Sequence, residues 1–409
     1  MYSLAFVING TSNHIVLYDV DIDKVLVKLM IMKNTLLILL TLLLAGASFA
    51  QNWNILDLPS STRYDDVFFL DETTGWTINS SQYTVYKTTD AGDTWTSQFE
   101  SNQEYLRNIS FLDEDRGFLG TLSPSFYKTI NGGQTWDLVS IPGVEAICGL
   151  DVVGNNTVYG CGAYFQPAYL IKSSDGGDTW TFKDMSAYAS SLVEVLFLDE
   201  NIGFASGGNE EGGIIIKTID GGDSWIEIFN TEVPGEIVWK MQQLFSNPDA
   251  IFGSVQAINP TPGKLVKSLD GGENWSTYDI IPPNVGTVDY SIQGVGFITE
   301  DHGWVSGHHT SLLETLDGGL TWAAIENYSI SSVNRFHVLN ESFVFASGVE
   351  VYKFNNSLSV KHLESKNIQG LKIKASPNPV KDQLNISILF ERNDHMVITL
   401  FDEQGRKIK

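Results

Sequence analysis

The sequence predicts an all-β chain whose main body is a seven-bladed β-propeller, followed by a small partial β-sandwich-type C-terminal domain. Three observations predict the propeller. An eight-residue turn recurs six times, at residues 88–95, 129–136, 173–180, 218–225, 268–275 and 315–322. It reads Ser or Thr, any residue, Asp or Asn, Gly or Ala, Gly, any residue, a small polar residue, Trp. Its third position, at Asp90, Asn131, Asp175, Asp220, Asp270 and Asp317, recurs every 41 to 50 residues with no helical pattern between copies. Periods of that length mark propeller blades. Short runs rich in β-branched and aromatic residues, bounded by Gly, Asn and Asp, give four strands per period.

The chain before the repeats reads as an address rather than a fold. Met32-Lys33-Asn34, an apolar run at 35–44 and small residues up to Ala50 form a signal peptide, with the cut expected after Ala50. The run is short for a membrane span, and no later segment replaces it, so no transmembrane segment is expected in the mature chain. Residues 1–31 read as an extension from a mis-called start, with the true start at Met30 or Met32.

From residue 51 to 356 the repeats account for the sequence. A first strand ends in Phe68-Phe69-Leu70-Asp71 and its equivalents, and Gly75-Trp76 begins a second. Tyr86-Lys87 ends a third just before the turn, and the Trp of the turn begins a fourth. After the sixth turn, residues 336–339, 343–348 and 351–354 supply three strands of a seventh blade. Residues 53–56 resemble the strand that follows a turn Trp, so the seventh blade is expected to close from both chain ends. Closure removes exposed strand edges. Residues 358–363 are the other candidate for that position. A polar linker is expected at 357–372. At 373–409, Leu384, Ile386 and Ile388 alternate with polar residues, as on a half-buried strand.

Charge excludes some functions. The chain carries a net −24, and residues 51–369 alone carry −26. Such a body repels phosphate backbones, so no nucleic-acid partner is expected. Two cysteines, Cys148 and Cys161, are too few for a four-thiolate metal site. They fall on neighbouring strands of one hairpin. A disulfide and two separate buried thiols both remain open, since a register slip of one residue separates them.

The repeated turn invites an active-site reading because it repeats an acid, but its residue types fit a structural one. The Asp accepts hydrogen bonds within its own turn. Glycine supplies positive φ, the Ser or Thr hydroxyl ties the incoming strand, and the Trp is an apolar plug. The Trp positions are Trp95, Trp136, Trp180, Trp225, Trp275 and Trp322. Carboxylates spaced around a ring cannot pair for acid–base chemistry.

On these residues the turn resembles the Asp-box, or bacterial neuraminidase repeat. The longer unit, from Phe69-Leu70-Asp71 through Gly75-Trp76 to Tyr86-Lys87-Thr88 and the turn, resembles photosystem II stability/assembly factor-like propellers. Both resemblances imply the fold more than an activity. The segment beginning Ala375-Ser376-Pro377-Asn378-Pro379 and ending at Lys409 resembles the C-terminal sorting domain of type IX secretion substrates. In that family further strands follow, so a shortened domain is expected here. The resemblance implies the type IX secretion machinery as a partner and the outer surface of a Bacteroidetes-like bacterium, or the medium, as the destination.

Functional residues are expected on the rim opposite the repeated turns, where the variable loops lie. Candidates are Tyr164 and Phe165 in one loop, and His308 with His309 in another. Arg63, Arg107 and Arg335 stand near the starts of first strands, and Trp239-Lys240 precede another. Three of the chain's six arginines at one channel mouth can seat a carboxylate. The competing reading pairs each with an acid such as Asp65, Asp66 or Glu194. No metal site or cofactor is expected. Three functions stand side by side: a secreted non-enzymatic propeller binding a protein or glycan, a sialidase-like or other glycoside hydrolase, and a maturation factor like the photosynthetic propellers. The hydrolase reading lacks a Phe-Arg-Ile-Pro-like segment; Asn334-Arg335-Phe336 is the nearest approach and does not match.

Overall fold

The computed structural model describes residues 52–60, 62–162, 167–282, 291–308, 310–325, 330–355, 371–376 and 385–390. Among them there is no helix. Blades one to six follow in chain order, each a four-stranded antiparallel sheet. Their innermost strands are Tyr64–Phe69, Leu106–Phe111, Gly149–Val153, Ser191–Phe197, Ile237–Leu244 and Ile292–Phe297. Blade seven takes Arg335–Asn340, Phe343–Ser347 and Val351–Asn355 from one end of the propeller and Asn52–Ile55 from the other.

That last pairing closes the ring. Asn52–Ile55 runs antiparallel to Val351–Asn355, with Trp53 opposite Phe354. Trp53 is fully buried, edge-on to Trp304 at 5.3 Å between centroids and tilted against Phe354 at 5.4 Å. The N-terminal strand therefore occupies the position expected of it, while residues 358–363 lie outside the described residues. Each inner strand packs on the next, and the seventh returns to the first.

Aromatic stacks cross the seams between blades. The Phe that ends an inner strand lies flat against the second-strand aromatic of the preceding blade. Trp76 and Phe111 stack at 3.6 Å, Tyr159 and Phe197 at 3.4 Å, Phe252 and Phe297 at 3.9 Å, and Phe345 and Phe69 at 3.6 Å. Such pairs contribute about 0.5–1.5 kcal/mol beyond their buried area. They also explain the glycine that opens the second strand in blades one, two, four and six: a Cβ on Gly75 would lie 2.5 Å from the Phe69 ring.

One detail differs from expectation, and one open alternative is decided. The fourth strands begin one residue after the Trp, at Thr96 in blade one and Ile226 in blade four. The Trp still belongs to the turn, because in five of the six copies, Trp136 excepted, its indole N–H donates back to it. In blade three, Cys161 stands opposite Gly149, one position out of register with Cys148. Cys148 packs with Ala146, Val193 and Trp239, whereas Cys161 packs with Tyr159, Leu170 and Ala205. The two thiols are buried and no disulfide joins them.

The propeller forms one compact unit, Gln51–Ser357. Beyond it, Leu371–Ser376 pairs antiparallel with Asn385–Phe390, with Ile373 opposite Ile388. Tyr164, Phe165, His309, the signal-peptide segment and most of 373–409 lie outside the described residues.

Candidate functional site

The two rims of the ring do different work. On one rim stand the repeated turns, and blade four shows their chemistry. Asp220 Oδ1 accepts from Ser224 N at 2.8 Å and from Thr218 Oγ1 at 2.8 Å, while Oδ2 accepts from Ser224 Oγ at 2.5 Å. Thr218 Oγ1 accepts from Gly222 N at 2.8 Å, and Trp225 Nε1 donates to Gly222 O at 3.1 Å. Gly221 and Gly222 hold φ of +68° and +94°, the left-handed region that glycine enters without steric cost. Hydrogen bonds from Ser224 and Thr218 hold the Asp220 carboxyl down to about 2. The equivalent Asp90 and Asp270 behave alike. Both Asp220 carboxylate oxygens thus accept hydrogen bonds from within their own turn.

The lysine near the end of the third strand, present in every blade but the sixth, has a role the sequence did not reveal. It crosses the seam to the next blade's turn. Lys87 Nζ donates to Gly132 O at 3.2 Å, Lys172 to Gly221 O at 2.8 Å, and Lys217 to Gly271 O at 2.8 Å. Lys267 donates to Gly318 O at 2.7 Å and Lys353 to Ala91 O at 2.9 Å. Lys128 meets Asp178 Oδ1 instead, at 2.7 Å. An aromatic of its own blade lies beside the Lys87, Lys172, Lys217, Lys267 and Lys353 ammonium groups, as Trp76 does for Lys87 at 4.7 Å. Blade six carries Glu314 at this position, and it is followed by the one blade with no repeated turn. Glu314 Oε1 instead accepts Trp304 Nε1 at 3.0 Å and lies 3.0 Å from His302 Nε2.

The opposite rim carries the channel mouth, and there the inner strands are bulged. The pairing of first with second strand slips by one residue between Tyr64 and Asp66, Leu106 and Asn108, Leu192 and Glu194, Val238 and Lys240, and Ile292 and Gly294. A bulge leaves one extra residue and re-aims its side chain. The extra residues are Asp65, Arg107, Val193, Trp239 and Gln293. Trp239 and Lys240 are thus inside their strand rather than ahead of it.

The mouth ends of the inner strands gather charges from five blades. Arg63 Nε donates to Asp65 Oδ1 at 2.7 Å, and Arg107 Nη1 lies 3.3 Å from the same oxygen. Arg335 Nε lies 3.0 Å from Asp66 Oδ1, and its Nη1 donates to Glu194 Oε1 at 2.9 Å. Lys240 Nζ donates to Glu194 Oε2. The three arginines therefore converge, and each is also paired with an acid. Arg107 and Lys240 are buried, with Arg107 lying 5.9 Å over the Trp239 ring. Arg63 and Arg335 keep 21% and 16% of their side chains exposed, so they are the members a ligand can reach. His308 joins them through Nδ1, 3.3 Å from Arg63 Nη1. Trp239 Nε1 donates to Gln256 Oε1 at 2.6 Å.

Burial sets the protonation of this cluster. Burial, reinforced by Arg335, pushes the Lys240 ammonium down to about 8 against the pull of Glu194. Burial pushes the Asp151 carboxyl up to about 7, although Phe197 N and Val152 N donate to it at 2.7 and 2.9 Å. At Asp65 burial is outweighed by Arg107 and Arg63, and its carboxyl sits below the usual range.

Deeper in the channel, polar side chains fasten each inner strand to the next. Asp66 Oδ2 accepts Ile109 N at 3.0 Å, and Asp151 accepts Phe197 N. Gln242 bonds both N and O of Phe297, at 2.6 and 2.9 Å. His337 Nε2 lies 2.9 Å from Phe69 O, which fixes the proton on that nitrogen.

The architecture is that of a seven-bladed propeller with its structural turns on one rim and a charged mouth on the other. The family described as photosynthesis system II assembly factor YCF48 matches residues 45–143. Photosystem II assembly lipoprotein Ycf48 of a Picosynechococcus species is 29% identical over 135 residues, covering 31% of this chain and 39% of that protein. The match thus leaves most of the relative's length uncovered. Among solved structures, YCF48 from Cyanidioschyzon merolae is similar with TM-score 0.58 and 17% identity, over 74% of this chain and 98% of that one. A structure of YCF48 bound to D1 peptide gives 0.56 and 20%, over 74% and 96%. An ancestral GH74 enzyme gives 0.55 and 14%, over 74% and 46%. At these identities the structures show a common fold.

His337 makes the ring acid-sensitive. Burial pushes its imidazole from 6.5 down to about 4. Between those values the unfolded chain binds the extra proton, so this contribution is complete above pH 6.5 and is lost as pH falls toward 4. At pH 5 the loss is on the order of 1–2 kcal/mol. Asp151, raised, works in the opposite sense over the same window, so the test is a difference between variants. His337→Gln copies the Gln242 arrangement without a titrating group. Its thermal midpoint should match the wild type at pH 7.5 and exceed it at pH 5. A gap that does not change with pH would contradict the assignment.

Proposed function

We propose that this chain is an exported, non-enzymatic propeller that binds a protein client through an anionic group at the channel mouth. One observation carries the reading: Arg63, Arg107, Lys240 and Arg335 converge on Asp65, Asp66 and Glu194. Four cations face three carboxylates, and Asp151 balances them only when ionised. Below about pH 7 the mouth therefore keeps a positive excess inside a chain of net −24. A carboxylate or similar anion from a client completes the count, and Arg63 and Arg335, the partly exposed members, are placed to receive it.

The similarity to photosystem II assembly factors supports a protein client, and a similar propeller has been solved with a D1 peptide bound. Glycoside hydrolysis is not favoured. It needs one carboxyl held as an acid beside a second that attacks or activates water. Asp65, Asp66 and Glu194 are each held by arginine or lysine, and Asp151 by two backbone N–H groups. The sequence also supports export, through residues 32–50, followed by type IX secretion through 373–409.

Fluorescence anisotropy with a labelled acidic hexapeptide bearing a free carboxyl terminus tests the site. Affinity should fall about tenfold on Arg63→Ala, which removes one charge-assisted pair. It should also fall as pH rises from 6 to 8.5. Over that range Asp151 gains its negative charge and Lys240 loses its positive one. Affinity that is indifferent to Arg63, or that rises with pH, would overturn the proposal. Turnover of aryl glycosides by the purified propeller would replace it with the hydrolase reading.

Export is tested separately. In a type IX-competent host, the full chain should reach the outer surface or medium, and a chain lacking 371–409 should stay in the periplasm. Equal export of both would remove the sorting role.

A further inference from the structure

The second position of the repeated turn has no structural duty. It is Thr89 in blade one and Ser174 in blade three, both exposed, and neither turn is disturbed. In three successive blades the same position holds a large apolar side chain open to water. Ile219 of blade four is 70% exposed, Leu269 of blade five 46% and Leu316 of blade six 65%. Ile130 of blade two is also exposed but has polar counterparts on both sides. Scattered exposed apolar residues need no explanation, whereas a set confined to one arc does.

The lysine bridges show that the three are neighbours. Lys217, two residues before Ile219, bonds Gly271, two residues after Leu269. Lys267, two residues before Leu269, bonds Gly318, two residues after Leu316. Leu320 and Phe245 on the same arc are 67% and 68% exposed. The charges between these side chains are acidic. Asp223, Asp249, Glu273, Glu300 and Asp301 are exposed, and Asp220 and Asp270 remain ionised down to about pH 2. Lys217 and Lys267 are turned into the seams. The arc thus presents apolar studs set in negative charge, which is the opposite of the channel mouth.

We infer that the turn rim of blades four to six is a second docking surface, and that its occupant is a basic protein segment with apolar side chains of its own. The negative setting selects the partner's lysines and arginines, and the studs supply the contact area. A second copy of this chain fits poorly, since its turn rim carries the same sign. This surface is independent of the mouth: a ligand here meets neither Arg63 nor Arg335.

The test uses two labelled dodecapeptides of equal charge, alternating Lys-Leu and alternating Lys-Ser, titrated into the purified chain at 0.15 M salt. The Lys-Leu peptide should bind at least tenfold tighter. In the triple variant Ile219→Thr, Leu269→Ser, Leu316→Thr, which copies the turns of blades one and three, that ratio should fall to near one while the thermal midpoint is unchanged. Equal binding of both peptides by the wild type would reduce the surface to non-specific charge attraction and overturn the inference. A ratio that persists in the triple variant would also overturn it. Self-association of the wild type in sedimentation, abolished by the triple change, would reassign the surface to a second copy.

Discussion

A lysine at the end of a third strand, bonded to a glycine carbonyl of the next blade's turn, is the interaction on which the ring depends. A blade cannot bury both of its faces alone, so every seam must be held at the right angle. Aromatic stacks such as Trp76 on Phe111 fill the seam, but stacking is tolerant of sliding. The Lys87 to Gly132 bond is not, because it joins two fixed backbone turns through one charged group. Asp and Ser/Thr build each turn, glycine bends it, and the bend leaves a carbonyl facing back along the ring. In five of the six turns the lysine of the preceding blade satisfies that carbonyl, while Lys128 meets Asp178 instead. Glu314 is the informative exception: where no turn follows, no lysine precedes.

Fixing one rim this firmly leaves the other free to vary. The inner strands are bulged at the mouth, and their extra residues are unlike one another: Asp65, Arg107, Val193, Trp239, Gln293. A repeated backbone device therefore presents a non-repeated set of side chains, which is how a symmetric scaffold acquires a particular site. The pairing of Arg63 and Arg107 with Asp65, and of Arg335 with Asp66 and Glu194, holds the cations in place while leaving two of them within reach of solvent. Under the proposed function, a client's carboxylate would replace one of these internal contacts.

Much of the fold was legible because the repeat encodes it. The spacing of Asp90 through Asp317 counts the blades, and Trp53 identified the closing strand because it copies a turn Trp. The site was legible only in outline. Arg63, Arg107 and Arg335 could be placed near inner-strand starts, but a bulge leaves no compositional mark at this position, so the meeting of Arg107 with Asp65 was invisible. Trp239 and Lys240 were assigned one element too early for the same reason. The lysine bridges were in plain view as Tyr-Lys-Thr. Their purpose was hidden because the partner is a backbone carbonyl some 50 residues on, and carbonyls carry no sequence signature.

The exchange of Lys for Glu where the seventh turn is missing allows the most direct test. Thermal midpoints of Lys267→Met and Glu314→Lys would be measured beside the wild type. Removing the Lys267 bond should cost about 1–2 kcal/mol. Adding a lysine at 314 should also destabilise, because the sequence of blade seven carries no copy of the repeated turn and His302 and Trp304 lose their acceptor. If Glu314→Lys is neutral or stabilising, the lysines owe nothing to the turn they face, and the account of how this ring is held together is wrong.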